Sequence, residues 1–157
     1  MTSKIFSTLL LLANSGFLLA QGLNSLAVTP PAEVALKRGV PGTAKIKLKL
    51  PPGLHCNTNT PSDEYLIPLK LTFAPANGLE STEITYPKGK DETYSFSKKP
   101  LNVYSGEFEV QASLKAGTTA SAGPQVFHGK LRYQACNDSM CFAPKTIDVK
   151  IPVVVAN

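Results

Sequence analysis

Tyr133-Gln134-Ala135-Cys136-Asn137-Asp138-Ser139-Met140-Cys141-Phe142-Ala143-Pro144-Lys145-Thr146 sets two cysteines around four residues, three of them polar. Strand-like sequence flanks this stretch, Gly129 to Ala135 on one side and Thr146 to Ile151 on the other. Four-residue connections are ordinary hairpin loops, so Cys136 and Cys141 are expected to oppose each other across the first rung. Directly opposed residues of an antiparallel pair lie about 4.5–5.5 Å apart at Cα, inside the window of roughly 4.4–6.8 Å that a disulfide needs. The spacing therefore predicts a cystine at the mouth of a β-hairpin. Closing so small a ring is worth only about 2 kcal/mol of loop entropy, and short, accessible bridges tend to be the labile or catalytic kind. Spacing alone leaves a redox pair and a structural staple both open.

Side-chain parity sharpens the hairpin. Phe127, Leu131, Tyr133 and Ala135 share one face of the incoming strand, which puts Cys136 on the other with Lys130, Arg132 and Gln134. On the return strand the core positions are Ile147, Val149 and Ile151. Opposing Cys136 to Cys141 sets Leu131 against Thr146, one residue out of step with Ile147. An irregularity is expected at Ala143-Pro144, because proline cannot donate a ladder hydrogen bond.

Further out, period-two alternation dominates the chain. Lys45-Ile46-Lys47-Leu48-Lys49-Leu50 puts three apolar side chains on one face and three lysines on the other, and Pro51-Pro52-Gly53 ends the run. The lysine stripe reads as a solvated face that discourages edge pairing. Further candidate strands are Ile67 to Phe73, Glu80 to Tyr86, Glu107 to Leu114, Val126 to Ala135 and Thr146 to Val155. Strands of this length, separated by Pro/Gly turns and lacking a helical period, indicate an all-β antiparallel sandwich. Residues 116–124 read as a flexible turn, and no internal repeat is found.

The first residues, Met1 to Ala20, combine Lys4 with a largely apolar run that ends on a small residue. This is the pattern of a secretory signal peptide. Cleavage is expected after Ala20, with Gly22 and Ala27 as alternatives. The run is short and interrupted for a membrane span of about 20 residues, although a retained anchor is the other reading. Residues 21–31 are expected to be a linker and residues 32–157 a single domain, exported to an oxidising compartment that permits disulfides. The formal charge of +5 is spread along strand faces. Without a clustered basic patch or interleaved aromatics, no nucleic-acid partner is expected.

Three cysteines leave one odd. His55-Cys56 invites a Cys₃His zinc site with Cys136 and Cys141. No Cys-x₂-Cys pair supports it, so Cys56 is expected to be a buried small hydrophobe, and neither a metal nor a cofactor is expected. No serine sits in a nucleophile-elbow motif.

The chain resembles the family of amino-terminal periplasmic domains of the thiol:disulfide interchange protein DsbD. The likeness rests on Tyr133-Gln134-Ala135-Cys136 followed by Cys141, Phe142 and Pro144. It is extended by Gly53-Leu54-His55-Cys56-Asn57-Thr58-Asn59, Tyr86-Pro87-Lys88-Gly89 and Val103-Tyr104-Ser105-Gly106, and it covers most of residues 32–155. The resemblance implies an immunoglobulin-like fold and a periplasmic electron shuttle. Its cysteine pair is reduced by a thioredoxin-like domain and in turn reduces periplasmic isomerases and thioredoxin-like proteins of cytochrome c maturation. By the same resemblance Cys141 forms the mixed disulfide with partners and Cys136 resolves it. A cap loop matching Lys90 to Phe96 covers the sulfurs, with Asp91 and Glu92 as its carboxylates and Tyr94 and Phe96 as its aromatics. The pair here is spaced one residue more closely than in the best-known members. These 157 residues contain neither a membrane domain nor a thioredoxin domain, so a separate membrane reductase is expected to supply electrons to a monomer. Lys130 and Arg132 are expected to favour the Cys136 thiolate and Asp138 to oppose it. The rival reading is an exported immunoglobulin-like binding or structural module with a permanent hairpin disulfide.

Overall fold

A computed structural model describes residues 25–156. The expected signal peptide and the first residues of the expected linker lie outside the described residues. In chain order the strands are β1 (Ala27–Thr29), β2 (Val34–Leu36), β3 (Gly42–Lys49), β4 (His55–Asn57), β5 (Lys70–Phe73) and β6 (Leu79–Thr85). They continue with β7 (Lys90–Glu92), β8 (Leu101–Ser105), β9 (Glu107–Ala116), β10 (Gly123–Tyr133), β11 (Ala135–Cys136) and β12 (Lys145–Val155). Three four-stranded sheets result, ordered β1-β3-β9-β6, β2-β12-β10-β5 and β11-β4-β8-β7. All pairs are antiparallel except β2 with β12, which is parallel. The fold is an all-β, immunoglobulin-like sandwich.

The first two sheets enclose the core. Ile46, Leu48, Val110, Ala112 and Leu114 meet Phe127, Leu131, Val149, Ile151 and Val153 in one apolar cluster. Alternation in β3 is as the sequence predicts, with Ile46 and Leu48 buried and Lys45, Lys47 and Lys49 exposed. Each fully buried aliphatic side chain contributes about 1.5–3 kcal/mol, so this face fixes the register of the strand.

The third sheet is made of extensions of the other two. The turn at Pro51-Pro52-Gly53 passes the chain from β3 to β4, with Gly53 at φ 77° and Leu54 N–H donating to the Pro51 carbonyl at 3.1 Å. Gly106, at φ 62°, is the one residue between β8 and β9. Gln134 is the one residue between β10 and β11. This small sheet therefore sits where both main sheets run on, and it carries the cysteine hairpin.

Two expectations are corrected here. Within the expected linker, β1 pairs with Lys47–Lys49 of β3, and Leu26 N–H donates to the buried Tyr133 hydroxyl at 3.0 Å. A three-residue strand is too short to show a period, but it satisfies its backbone along an open stretch of the β3 edge. The expected strand from Val126 to Ala135 stops at Tyr133, and Ala135 changes to another sheet.

Candidate functional site

Cys136 and Cys141 form a disulfide, bridged as an isolated antiparallel pair. Their Cα atoms are 3.9 Å apart, closer than a ladder rung would place them, because the bridge lies beyond the β10–β12 ladder. The last ladder rung is Tyr133 with Lys145. Between it and the bridge lie Gln134 and Ala135 on one strand and Phe142, Ala143 and Pro144 on the other. The extra residue falls in the Phe142–Pro144 segment, and Leu131 recovers Ile147 as its partner. The irregularity expected at Ala143-Pro144 is therefore present.

Local hydrogen bonds close the loop. Asn137 Oδ1 accepts from Ser139 N–H at 2.9 Å and Met140 N–H at 2.8 Å, the short-range side-chain turn that asparagine favours. Asn137 N–H donates to the Met140 carbonyl at 2.9 Å, and Phe142 N–H to the Ala135 carbonyl at 2.9 Å. Gln134 Nε2 donates to the Phe142 carbonyl at 2.8 Å. The two cysteines differ sharply in environment. Cys136 is 1% exposed, whereas Cys141 is only partly buried beside the exposed Met140.

Ala135 stays in the core cluster with Phe127, Leu131 and Tyr133 while Cys136 lies outside it, as strand parity predicts. The expected tie of Cys136 to Lys130 and Arg132 is not formed, because Cys136 enters another sheet and is buried there while those two side chains are exposed. Lys130 instead pairs with Asp148 at 2.6 Å on the outer face of β10 and β12. The residue opposite Cys136 is His55 on β4, and Ala135 stands opposite Cys56. Opposed residues of an antiparallel pair project from the same face, so the imidazole and the Cys136 side chain are neighbours. His55 is 3% exposed, and its Nε2 atom is buried without a hydrogen-bond partner among the described residues. Burial holds the imidazole below its ordinary pKa, against the opposing pull of Glu92 and Asp138.

The stretch matched to a cap runs from β7 into the loop before β8. Asp91 Oδ1 accepts from Asn102 Nδ2 at 2.6 Å and Glu92 Oε2 from the Tyr94 hydroxyl at 2.6 Å. Tyr94 is buried with Leu101 and Val103. Its ring stacks on His55 at 3.9 Å between centroids, and Phe96 stacks on Tyr94 at 5.5 Å and on His55 at 6.3 Å. Ser95 Oγ donates to the Asp138 carbonyl at 2.8 Å, tying this stretch to the cysteine loop. Desolvation, with the Glu92 hydrogen bond adding to it, pushes the Tyr94 phenol well above its usual range.

Of the residues singled out from sequence, the structure gathers Cys136, Cys141, Tyr94 and Phe96 into one neighbourhood, with Glu92 bonded into it through Tyr94. Asp91 is held aside on Asn102. The sequence suggests no role for His55 beyond that of a zinc ligand. That reading fails, because Cys136 and Cys141 are spent on each other and Cys56 projects from the face opposite to His55. Among the described residues no group of three or more His, Cys, Asp or Glu side chains is placed to hold a metal ion. Only strand pairing reveals His55, since no local motif links it to residues some 80 positions away. Cys56 is fully buried and free, and burial pushes its thiol up to about 12.

The family model described as thiol:disulfide interchange protein DsbD, N-terminal, matches residues 25–152. No curated protein matches the chain. Among solved structures, the N-terminal periplasmic domain of ScsB from Proteus mirabilis superposes with a TM-score of 0.55 at 12% identity. The match covers 80% of this chain but 44% of that one, so it speaks for the fold alone. AggA, the major subunit of aggregative adherence fimbriae type I from Escherichia coli, reaches a TM-score of only 0.35 at 11% identity. It covers 85% of this chain and 94% of that one, and carries no argument.

Proposed function

Because the chain belongs to the family of amino-terminal domains of the thiol:disulfide interchange protein DsbD, we propose that it passes reducing equivalents through Cys136 and Cys141 to oxidised proteins of the periplasm. The observation that carries this reading is the asymmetry of the bridge at the mouth of the loop, with Cys136 buried and Cys141 only partly buried. Exchange needs one cysteine that a partner can approach and a second, held close, that expels the partner. Cys141 takes the first role and Cys136 the second.

The cap stretch controls access. Phe96, 40% exposed, and Tyr94 stack on each other and on His55, the residue opposite Cys136. Glu92 holds Tyr94 in place, and Asp91 braces the start of the loop through Asn102. The partners are thioredoxin-like proteins, one class delivering electrons from a separate membrane reductase and another receiving them.

Equilibration of the purified protein with glutathione or thioredoxin redox buffers tests the proposal. A reduction potential more oxidising than about −300 mV supports a shuttle. A bridge that stays closed below that value assigns the protein instead to the stapled, immunoglobulin-like binding modules.

A further inference from the structure

We propose that His55 is the proton acceptor for Cys136 when that cysteine expels a bound partner, and the proton donor to the sulfur that leaves. The inference rests on the exchange reading above and adds to it a residue that no sequence motif marks. Three geometric facts support it. His55 and Cys136 are the opposed residues of one β4–β11 rung. Both are buried, at 3% and 1% exposure, so water cannot readily serve as the base. Nε2 of His55 is an orphaned polar atom, with no partner among the described residues. Leaving such a group unpaired is unfavourable, a penalty removed once a thiol on the same rung donates to it. While the disulfide is closed, Cys136 has no proton to give.

The exchange balances as follows. In the reduced protein the Cys141 thiolate attacks one sulfur of a client disulfide. That S–S bond breaks, a mixed disulfide forms, and the first client sulfur leaves as a thiolate that solvent protonates. Cys136 then gives its thiol proton to His55 Nε2, and the resulting thiolate attacks the Cys141 sulfur. The mixed disulfide breaks, the Cys136–Cys141 bond forms, and the second client sulfur leaves with the proton returned by the imidazolium. Two electrons and two protons have passed to the client, and His55 is again neutral.

The surroundings suit a base that is neutral before the step. Burial keeps the imidazole uncharged near neutral pH. Glu92 from β7 and Asp138 from the cysteine loop are the charges that face it, and both favour the imidazolium once the proton arrives. Tyr94, its hydroxyl committed to Glu92, covers one face of the ring and leaves the in-plane nitrogen free to act.

The test uses the reduced full chain mixed with excess oxidised glutathione in a stopped-flow instrument. Formation of the mixed disulfide scales with glutathione concentration, whereas its resolution by Cys136 does not. His55→Gln is expected to slow the resolution phase by about 100-fold at pH 7, the range of a lost general base. Resolution in the variant should climb about tenfold per pH unit, following the free thiolate, while the wild type stays nearly level. Equal resolution rates with equal pH profiles overturn the role of His55. A wild-type protein that forms no mixed disulfide at all overturns the exchange reading instead.

Nuclear magnetic resonance keeps the inference open to refutation should His55→Gln not fold. The chain has two histidines, and exposed His128 serves as reference. The His55 Nε2 resonance should move towards that of a hydrogen-bonded imidazole nitrogen on reduction. The move should persist in Cys141→Ala and vanish in Cys136→Ala. A resonance indifferent to Cys136 rules the hydrogen bond out.

Discussion

The phenol ring of Tyr94 lies on the imidazole of His55 with centroids 3.9 Å apart and planes 15° apart, while its hydroxyl donates to Glu92 at 2.6 Å. One residue thus belongs to both the packing and the electrostatics of the disulfide neighbourhood, whereas Phe96, stacked outside it, is 40% exposed. The two aromatics should separate in experiment. Tyr94→Ala is expected to cost about 3 kcal/mol, as for a buried aromatic reduced to methyl. Phe96→Ala should cost well under that and should accelerate reduction of the disulfide by dithiothreitol several-fold. Urea denaturation and the reduction rate measure the two effects. A Phe96→Ala protein reduced no faster than wild type would remove the shielding role.

The unequal exposure of the cysteines predicts unequal trapping. Cys136→Ala leaves the accessible Cys141, which should accumulate a stable mixed disulfide with oxidised glutathione. Cys141→Ala leaves the buried Cys136, which should form the adduct at least about tenfold more slowly. Intact-protein mass spectrometry over time reads both, and the reverse order would exchange the assigned roles.

Cys56 should be chemically silent. Its thiol, pushed up to about 12 by burial, carries almost no thiolate at neutral pH. Iodoacetamide is expected to leave the native oxidised protein unmodified and to label one thiol per chain after unfolding without reductant. Cys56→Ser should lose about 1–3 kcal/mol by placing a hydroxyl in an apolar site. Labelling of the native protein at Cys56 would mean that this part of the third sheet opens readily.

His55 should also make stability depend on pH. Its folded pKa is lowered from about 6.5, so between the folded value and about 6.5 the unfolded chain binds more protons. Stability therefore rises with pH across that window and is lost as pH falls from about 6.5 towards the folded value, below which the dependence is flat. His55→Gln should lack this slope. Urea midpoints of the two proteins, measured between about pH 5 and pH 7.5, should diverge only through that window.

Much of the architecture can be read from local patterns. Lys45 to Leu50 alternates cleanly because one face of β3 lies in the core and the other in water. The Cys136–Cys141 spacing points to a hairpin because only a short loop brings those side chains together. The irregularity near Pro144 follows from counting residues between Leu131 and Ile147. What escapes is set by tertiary pairing. Strands such as β4 and β11 are too short to show a period, and although side-chain parity carries on from Tyr133 to Ala135, the pairing partner changes when Gln134 hands the chain to another sheet. Lys130 and Arg132 therefore lose their expected tie to Cys136. His55 gains one that depends on β4 lying beside β11, a relationship no window of sequence contains.

That change of partners at Gln134 governs how far a chemical event at the tip can travel. Gln134 Nε2 and Ala135 O both grip Phe142, at 2.8 and 2.9 Å, just behind the sulfurs. Breaking the S–S bond therefore frees a loop already clamped at its root. The long β10–β12 ladder beyond the clamp should therefore be insulated from that opening. Amide exchange should quicken from Asn137 to Cys141 on reduction and stay unchanged from Phe127 to Tyr133. On the proposed exchange reading, the core should stay closed while the bridge at the tip opens and reforms.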